Sequence, residues 1–161
     1  MSISWWSKLW NWVYWIWHRK DREVMEALLA DPFGNGDDTT LGDIIEWIEG
    51  FEYRGDGFRI HWTQYPVTTV HRECGDCEDL AWLWYYWLTR LGYKPHVYKL
   101  YRRKWYTLWI PAWWHTITSV YVDDQDWVIT NNKALKLTMK GYFCDKGYCT
   151  LRRVDNDIKE K

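Results

Sequence analysis

The hydrophobic pattern of residues 3–17 predicts a helix that is apolar over most of its surface. Apolar side chains fall at helical spacing in two neighbouring rows, one of Trp5, Leu9, Trp12 and Ile16 and one of Trp6, Trp10, Val13 and Trp17. Polar side chains form one narrow stripe of Ser4, Ser7, Lys8 and Asn11. The run is shorter than the roughly 20 residues that span a bilayer, and Trp favours the membrane interface. We expect either an anchor to a membrane or partner protein, or a helix packed on the domain.

Further helical patterns follow this segment. The predicted helices run from Arg22 to about Ala30, from Thr40 to Gly50 and from Cys77 to Gly92. Asp21 is a candidate cap for the first of them, and Thr40 begins a capping-box pattern for the second. Residues 51–72 contain several glycines and a proline, which predicts mostly loop.

Beyond the third of these helices the period of the pattern changes to two, which predicts strands. The expected strands cover residues 96–101, 115–122 and 127–131, with a turn at 123–126 and further strands between 135 and 154 that include a hairpin over 145–147. Helices followed by antiparallel strands predict an α+β fold. We assign residues 1–20 to the Trp-rich helix and residues 21–161 to a single domain.

Composition narrows the class of protein. The chain has 161 residues, 47% of them hydrophobic and 27% charged, which indicates a globular domain rather than a disordered chain. The 16 Trp residues are unusual, and most are expected to fill the core of a small domain. A net charge of −1 excludes the global positive field that nucleic-acid binding needs.

The expected location is the cytoplasm, with membrane association only through residues 3–17. Four cysteines are too few for a disulfide scaffold in a chain of this length, so free thiols are predicted. The start of the chain has no charged segment before its apolar run and no small-residue cleavage site, so no secretory signal is predicted.

The candidate chemistry lies at Cys77, His115 and Asn131. Cys77 follows Gly75-Asp76 at the start of a predicted helix, where unpaired N–H groups favour a thiolate. His115 opens a predicted strand and would take the thiol proton. Asn131 lies on the hairpin partner of that strand and would hold the His115 ring in the required tautomer. The other four histidines lie in charged segments or beside loops.

Two further features of the predicted site depend on neighbouring residues. The backbone N–H of Cys77 is a natural oxyanion donor, and Trp62 and Gln64 are candidates for the second donor. Aromatic side chains suggest a hydrophobic or stacking cleft for the substrate, and the candidates are Trp105, Trp109, Trp113 and Trp114.

The segments GDCEDLAWLWYYWLTRLGY and WHTITSVYVDDQDWVITNN resemble the core of the transglutaminase-like superfamily, especially its bacterial and phage cysteine peptidases. The resemblance covers roughly residues 51–132 and implies a papain-like fold with a central Cys-bearing helix and an antiparallel sheet. It implies Cys77 as nucleophile, His115 as base and acid, and Asn131 as the residue that orients the ring. The third position departs from the family's usual Asp, so the imidazolium would be stabilised less.

Three alternatives stay open. The four thiols, Cys74, Cys77, Cys144 and Cys149, would suit one structural zinc. The Cys74-Gly75-Asp76-Cys77 segment would also suit a thioredoxin-like redox protein if a strand preceded it in a βαβ unit. The third alternative keeps the fold without catalysis and uses the Trp-rich helix for interaction.

The favoured interpretation is a cysteine-nucleophile hydrolase or acyltransferase that acts on amide bonds of a protein or peptide substrate. Cys77 would form a thioester acyl-enzyme, and access of water or of an amine would decide between hydrolysis and transfer. This chemistry requires neither a cofactor nor a metal.

Overall fold

The computed structural model describes residues 4–34, 38–55, 63–101, 114–139, 141–142 and 150–155. In this part of the chain the helices are α1 (Trp5–Trp17), α2 (Arg19–Ala30), α3 (Leu41–Glu49), α4 (Pro66–Arg72) and α5 (Cys77–Arg90). The strands are β1 (Glu52–Tyr53), β2 (Cys74–Gly75), β3 (His96–Tyr101), β4 (Trp114–Val122), β5 (Gln125–Thr130), β6 (Lys133–Leu135) and β7 (Thr150–Arg153). The predicted α+β class is confirmed.

In the described part of the chain the strands form two sheets. The larger has five strands in the order β6-β5-β4-β3-β7, and every neighbouring pair is antiparallel. The smaller is a parallel pair of β1 and β2 directly before the Cys-bearing helix. The predicted hairpin of β4 and β5 is therefore confirmed, and it turns through the two residues Asp123 and Asp124.

Helix α5 lies against one face of the five-stranded sheet and forms the centre of the core. Its Leu80, Leu83 and Trp84 are fully buried and pack in one cluster with Val120 and Ile129 of the sheet. A helix that is buried on more than one face lacks a broad solvent-exposed side. Its sequence therefore shows little alternation of apolar and polar residues and is apolar nearly throughout. This burial fixes where α5 begins, and with it the position of Cys77.

The opposite face of the sheet carries a smaller core. Leu100, Ile117, Val128 and Tyr142 are buried there together. Side chains along a strand alternate between the two faces. His115 shares its face with Ile117, and Thr116 and Thr118 point toward α5.

Helix α1 confirms the predicted helical pattern but attaches to the domain by its polar side. Ser7 and Asn11 are buried, whereas Trp5, Trp6 and Trp17 are 66%, 61% and 83% exposed. Asn11 donates to the carbonyl of Thr63 (2.9 Å) and accepts from the N–H of Tyr65 (3.1 Å). Among the described residues no helix is both long and apolar enough to cross a membrane.

Other predicted elements shift. Helix α2 begins at Arg19 instead of Arg22, so Asp21 lies inside the helix and does not cap it. The predicted loop over residues 51–72 contains α4, which starts at Pro66 because the fixed φ of proline suits the first helical turn. The predicted hairpin over 145–147 falls outside the described residues.

Candidate active site

Cys77 is the first residue of α5, and a reciprocal capping box holds this helix start. The Asp76 carboxylate accepts from the N–H groups of Glu78 (2.7 Å) and Asp79 (3.0 Å), and Asp79 accepts from the N–H of Asp76 (3.1 Å). Two of the helix's unpaired donors are satisfied in this way. Gly75 and Asp76 thus each have a structural reason: Asp76 caps the helix, and a methyl group on Gly75 would lie 2.7 Å from Cβ of Asp79.

Asp79 is a fully buried carboxylate beneath the helix start. It accepts from both the backbone N–H (2.6 Å) and the side-chain amide (2.5 Å) of Gln64. Burial raises the pKa of Asp79, with the nearby Asp76 charge second, and these hydrogen bonds oppose the rise. Gln64, which we expected to donate to an oxyanion, instead ties residues 63–65 to the start of α5. Trp62 lies outside the described residues.

The His115 ring is held by Thr130. Its Nε2 is hydrogen-bonded to Oγ1 of Thr130 at 2.6 Å, and the Tyr142 hydroxyl donates to the same Oγ1 at 3.1 Å. These three side chains come from β4, from the end of β5 and from the segment after β6, on the sheet face opposite α5. Sequence reasoning did not single out Thr130 or Tyr142.

Asn131 does not occupy the orienting position that we predicted for it. It follows the last residue of β5, in a turn with a φ of 54°, a conformation that Asn adopts more readily than most residues. Its side-chain oxygen is buried and has no hydrogen-bond partner. The role of holding the His115 ring falls to Thr130 in this structure, because Thr130 is the last β5 residue and lies on the same face.

Cys77 contacts β4 one residue from His115. Its Sγ accepts a hydrogen bond from the N–H of Thr116 at 3.5 Å. Further along the same strand, the Thr118 hydroxyl donates to the carbonyl of Ala81 at 2.9 Å, so β4 and α5 are joined by polar contacts as well as by packing. Cys77 and His115 are both described, and no hydrogen bond joins the thiol to the ring.

The two candidate reacting groups are both uncharged at neutral pH. Burial raises the pKa of the Cys77 thiol to about 12, and the carboxylate of Asp76 contributes to the rise. Burial lowers the pKa of His115 to about 4. Glu78 also raises the thiol pKa, although its carboxylate is 3.0 Å from Nζ of Lys99. The resting pair is therefore thiol and imidazole, not thiolate and imidazolium.

The remaining cysteines and the predicted aromatic cleft are described only in part. Cys74 and Cys77 are buried free thiols. Cys144 and Cys149 lie outside the described residues, and so do Trp105, Trp109 and Trp113. The backbone of Trp114 begins β4, but its side chain is not described. The four-cysteine zinc site and the aromatic cleft both stay predictions.

Comparisons with known proteins return structural likeness only. No protein-family model matches the chain, and no curated protein matches it. A solved structure from Cytophaga hutchinsonii, described as a candidate cysteine protease, is similar with a TM-score of 0.46 and 16% identity over 74% of this chain. LapG of Legionella pneumophila is similar with a TM-score of 0.46 and 19% identity over 70% of this chain.

The chain spans only part of these proteins, 40% of the Cytophaga protein and 65% of LapG. The calcium-bound form of LapG gives the same identity and TM-score. Any activity of the present chain has to be argued from its own residues.

Proposed function

We propose that the chain is a cysteine-nucleophile hydrolase or acyltransferase that acts on amide bonds through a thioester on Cys77. The observation that carries this proposal is the position of Cys77 at the start of a capped helix, with Sγ against the β4 backbone beside His115. The Cys77 N–H is one of the unpaired donors at this helix start and would bind the developing oxyanion.

The hydrogen bonds of Thr130 are compatible with His115 as the base. Oγ1 of Thr130 accepts from Tyr142, and its second lone pair would accept Nε2–H of His115 in the tautomer that this proposal requires. That tautomer leaves Nδ1 unprotonated and able to accept the proton of Cys77. The His115 ring lies on the sheet face opposite α5, and no hydrogen bond joins it to the thiol at rest, so Nδ1 would have to reach Sγ around the start of β4 by a rotation of the ring. Catalytic hydrogen bonds often tighten only when substrate is bound.

The neutral resting pair sets the order of events. The thiol proton would move to Nδ1 of His115 as Sγ attacks the carbonyl carbon, and the imidazolium would then protonate the leaving amine. Water or an amine would next attack the thioester with His115 as base, which releases the acyl group and restores the thiol. Thr130 carries no charge, so it would orient the imidazolium without the stabilisation that a carboxylate gives.

An activated ester tests the proposal without knowledge of the natural substrate. Wild-type protein is mixed with p-nitrophenyl acetate, and intact mass follows acetylation of Cys77 and its turnover. We expect a transient acetyl-enzyme in wild type, none in Cys77→Ala, and formation about 100-fold slower in His115→Ala. Cys74→Ser is the matched control, since Cys74 is also a buried free thiol. Equal acetylation of Cys77 in wild type and His115→Ala would refute the role of His115.

A second candidate is the same fold without catalysis. It is favoured by the raised thiol pKa, by the lowered imidazole pKa, and by Thr130 in place of a carboxylate. Absence of an acetyl-enzyme in folded wild-type protein would support this candidate and contradict the first.

We also propose that α1 contacts an anionic phospholipid surface. The buried stripe of Ser7, Asn11 and Trp15 leaves an apolar arc of roughly 160° at 100° per residue facing outward. A wide apolar arc rich in Trp is typical of helices that lie in the membrane interface. Lys8 and Arg19 are exposed and would contact anionic head groups.

Vesicle binding tests this surface. Replacement of Trp6 and Trp17 by Ser should weaken binding to phosphatidylglycerol vesicles about tenfold for each Trp, because each removes apolar area that the lipid would cover. Tyr121→Ser is the control, since this aromatic side chain is 61% exposed on the sheet. Wild-type protein that does not bind the vesicles, or variants that bind equally well, would refute the proposal.

A further inference from the structure

Three side chains that the proposed chemistry does not use meet where α1, α2 and α4 come together. His18 is the single residue between α1 and α2, Asp21 lies in the first turn of α2, and His71 lies in the last turn of α4. One ligand atom from each of the three lies within 4.8 Å of the other two. His71 is far from the other two along the chain, so only the packing of α2 against α4 brings it to them.

The distances in this cluster are too long for hydrogen bonds. Nδ1 of His18 lies 3.6 Å and Nε2 of His71 lies 3.8 Å from the same carboxylate oxygen of Asp21. An N–H···O hydrogen bond is about 2.7–3.2 Å long. Two ligand atoms bound to one tetrahedral zinc at about 2.0–2.1 Å lie about 3.3 Å apart. The two observed separations fall in the range of ion pairs and slightly above the edge of such a tetrahedron, so small rotations of the side chains would bring the three ligand atoms around one metal ion.

Tyr14 supplies the outer contact that a metal-binding histidine needs. Its hydroxyl is hydrogen-bonded to Nδ1 of His71, the ring nitrogen that faces away from Asp21. When Nδ1 carries the ring proton and donates it to the Tyr14 oxygen, the lone pair of Nε2 is free to bind a metal. Such contacts to the second ring nitrogen fix the tautomer of metal-bound histidines.

A metal ion can reach the cluster from solvent. The side chains of His18 and Asp21 are 41% and 52% exposed, and His18 also lines a groove of about 300 Å³ with Trp10, Val13, Tyr14 and Trp17. Two imidazoles and one carboxylate leave a fourth position for water, and this donor set suits zinc among the common divalent metals.

We propose that His18, Asp21 and His71 bind one zinc ion, which fastens the junction of α1 and α2 to α4. The site is separate from Cys77, and its ligands contain no thiolate. It therefore differs from the four-cysteine zinc site considered from the sequence.

Cobalt binding tests the site, because Co²⁺ replaces zinc and its spectrum reports the ligand type. The metal-free full-length protein is titrated with Co²⁺ and followed by absorbance. We expect one equivalent to give visible d–d bands without a thiolate-to-cobalt charge-transfer band. Asp21→Asn and His71→Ala should each weaken binding by at least about tenfold, and Tyr14→Phe by about tenfold. His96→Ala is the control, since His96 lies on β3 and pairs with Asp155, outside the cluster.

Three outcomes would overturn the proposal. They are the absence of d–d bands, bands unchanged in Asp21→Asn and His71→Ala, and a charge-transfer band that disappears in Cys74→Ser or Cys77→Ser. Asp21 is half exposed, so Asp21→Asn is expected to fold even if His71→Ala does not. As a second readout, zinc should raise the Tm of wild type and leave that of Asp21→Asn unchanged.

Discussion

Thr130→Asp is expected to raise the pKa of His115 from about 4 to about 7. Among the described residues no charged group offsets the burial that lowers this pKa. Thr130 Oγ1 lies 2.6 Å from Nε2 of His115, so a carboxylate at residue 130 would lie within about 4 Å of the imidazolium charge. At that distance and an effective dielectric constant of about 20, the attraction is about 4 kcal/mol, or about 3 pKa units. The Tyr142 hydroxyl, which donates to Thr130, would donate to the new carboxylate.

The assay is a titration of the His115 ring proton by NMR, assigned by comparison with His115→Gln. Thr130→Asn is the matched control, because it has the shape of Asp without its charge and should leave the pKa of His115 well below that of a free histidine. The rate of Cys77 alkylation by iodoacetamide, measured across the same pH range, shows whether the more basic ring also activates the thiol.

The result that would refute this reasoning is a His115 ring that titrates at the same pH in Thr130→Asp and Thr130→Asn. It would mean that residue 130 does not face the ring in solution, and that the hydrogen bond between His115 and Thr130 does not form. A raised pKa without faster alkylation would confirm this hydrogen bond, but it would show that His115 does not activate the Cys77 thiol.

Two further predictions concern the free energy of unfolding, one through the partly buried His115 and one through the buried Asp79. Since the unfolded chain binds a proton at His115 that the folded chain rejects, unfolding free energy should fall by about 3 kcal/mol from about pH 6.5 to about pH 4. Urea unfolding at both pH values should show this loss in wild type and a smaller one in His115→Gln; equal losses would contradict it. Asp79→Ala should cost about 3 kcal/mol, because it leaves the donors of Gln64 and Asp76 without an acceptor. The control Glu78→Ala should cost about 1 kcal/mol or less, since its ion pair with Lys99 is partly exposed, and similar losses in both variants would contradict the role of Asp79.

Elements with one clear packing face could be predicted from the sequence. Strand β3 and helix α3, with its capping box at Thr40 and Asp43, lie where periodicity and cap residues indicate. Helix α4 could not be found in this way, because Thr68, Thr69 and Val70 are all buried. Such a run carries no alternation of apolar and polar positions, and β-branched residues favour strands by propensity.

The residue beside His115 depends on strand register. Val122 pairs with Gln125 across the turn, so odd-numbered residues of β4 share a face with even-numbered residues of β5. His115 therefore faces Thr130, and Asn131 falls on the other side. Any turn with an even number of residues gives this result, including the four-residue turn predicted at 123–126. The even number of residues in the turn is therefore the sequence signal that places Thr130, and not Asn131, on the face of His115. A register shifted by one residue would exchange the two faces of the strand.

The cluster of His18, Asp21 and His71 has no comparable signal in the sequence. His18 and Asp21 are close along the chain, but His71 joins them only because α2 packs against α4. Local patterns determine which face of each helix is apolar. They do not determine which polar residues at the ends of two packed helices will meet.

Helix α1 is linked to the start of α5, and so to Cys77, through residues 63–65. Asn11 of α1 binds residues 63–65 from one side, and Gln64 of the same segment binds Asp79 beneath Cys77 from the other. A buried polar stripe with satisfied hydrogen bonds holds α1 in one orientation, because any rotation about the helix axis would leave Asn11 without its hydrogen-bond partners. The Trp side chains of α1 other than Trp15 are thereby kept exposed instead of buried. An orientation that sacrifices so much apolar contact is consistent with a second surface, absent from the isolated chain, that covers them.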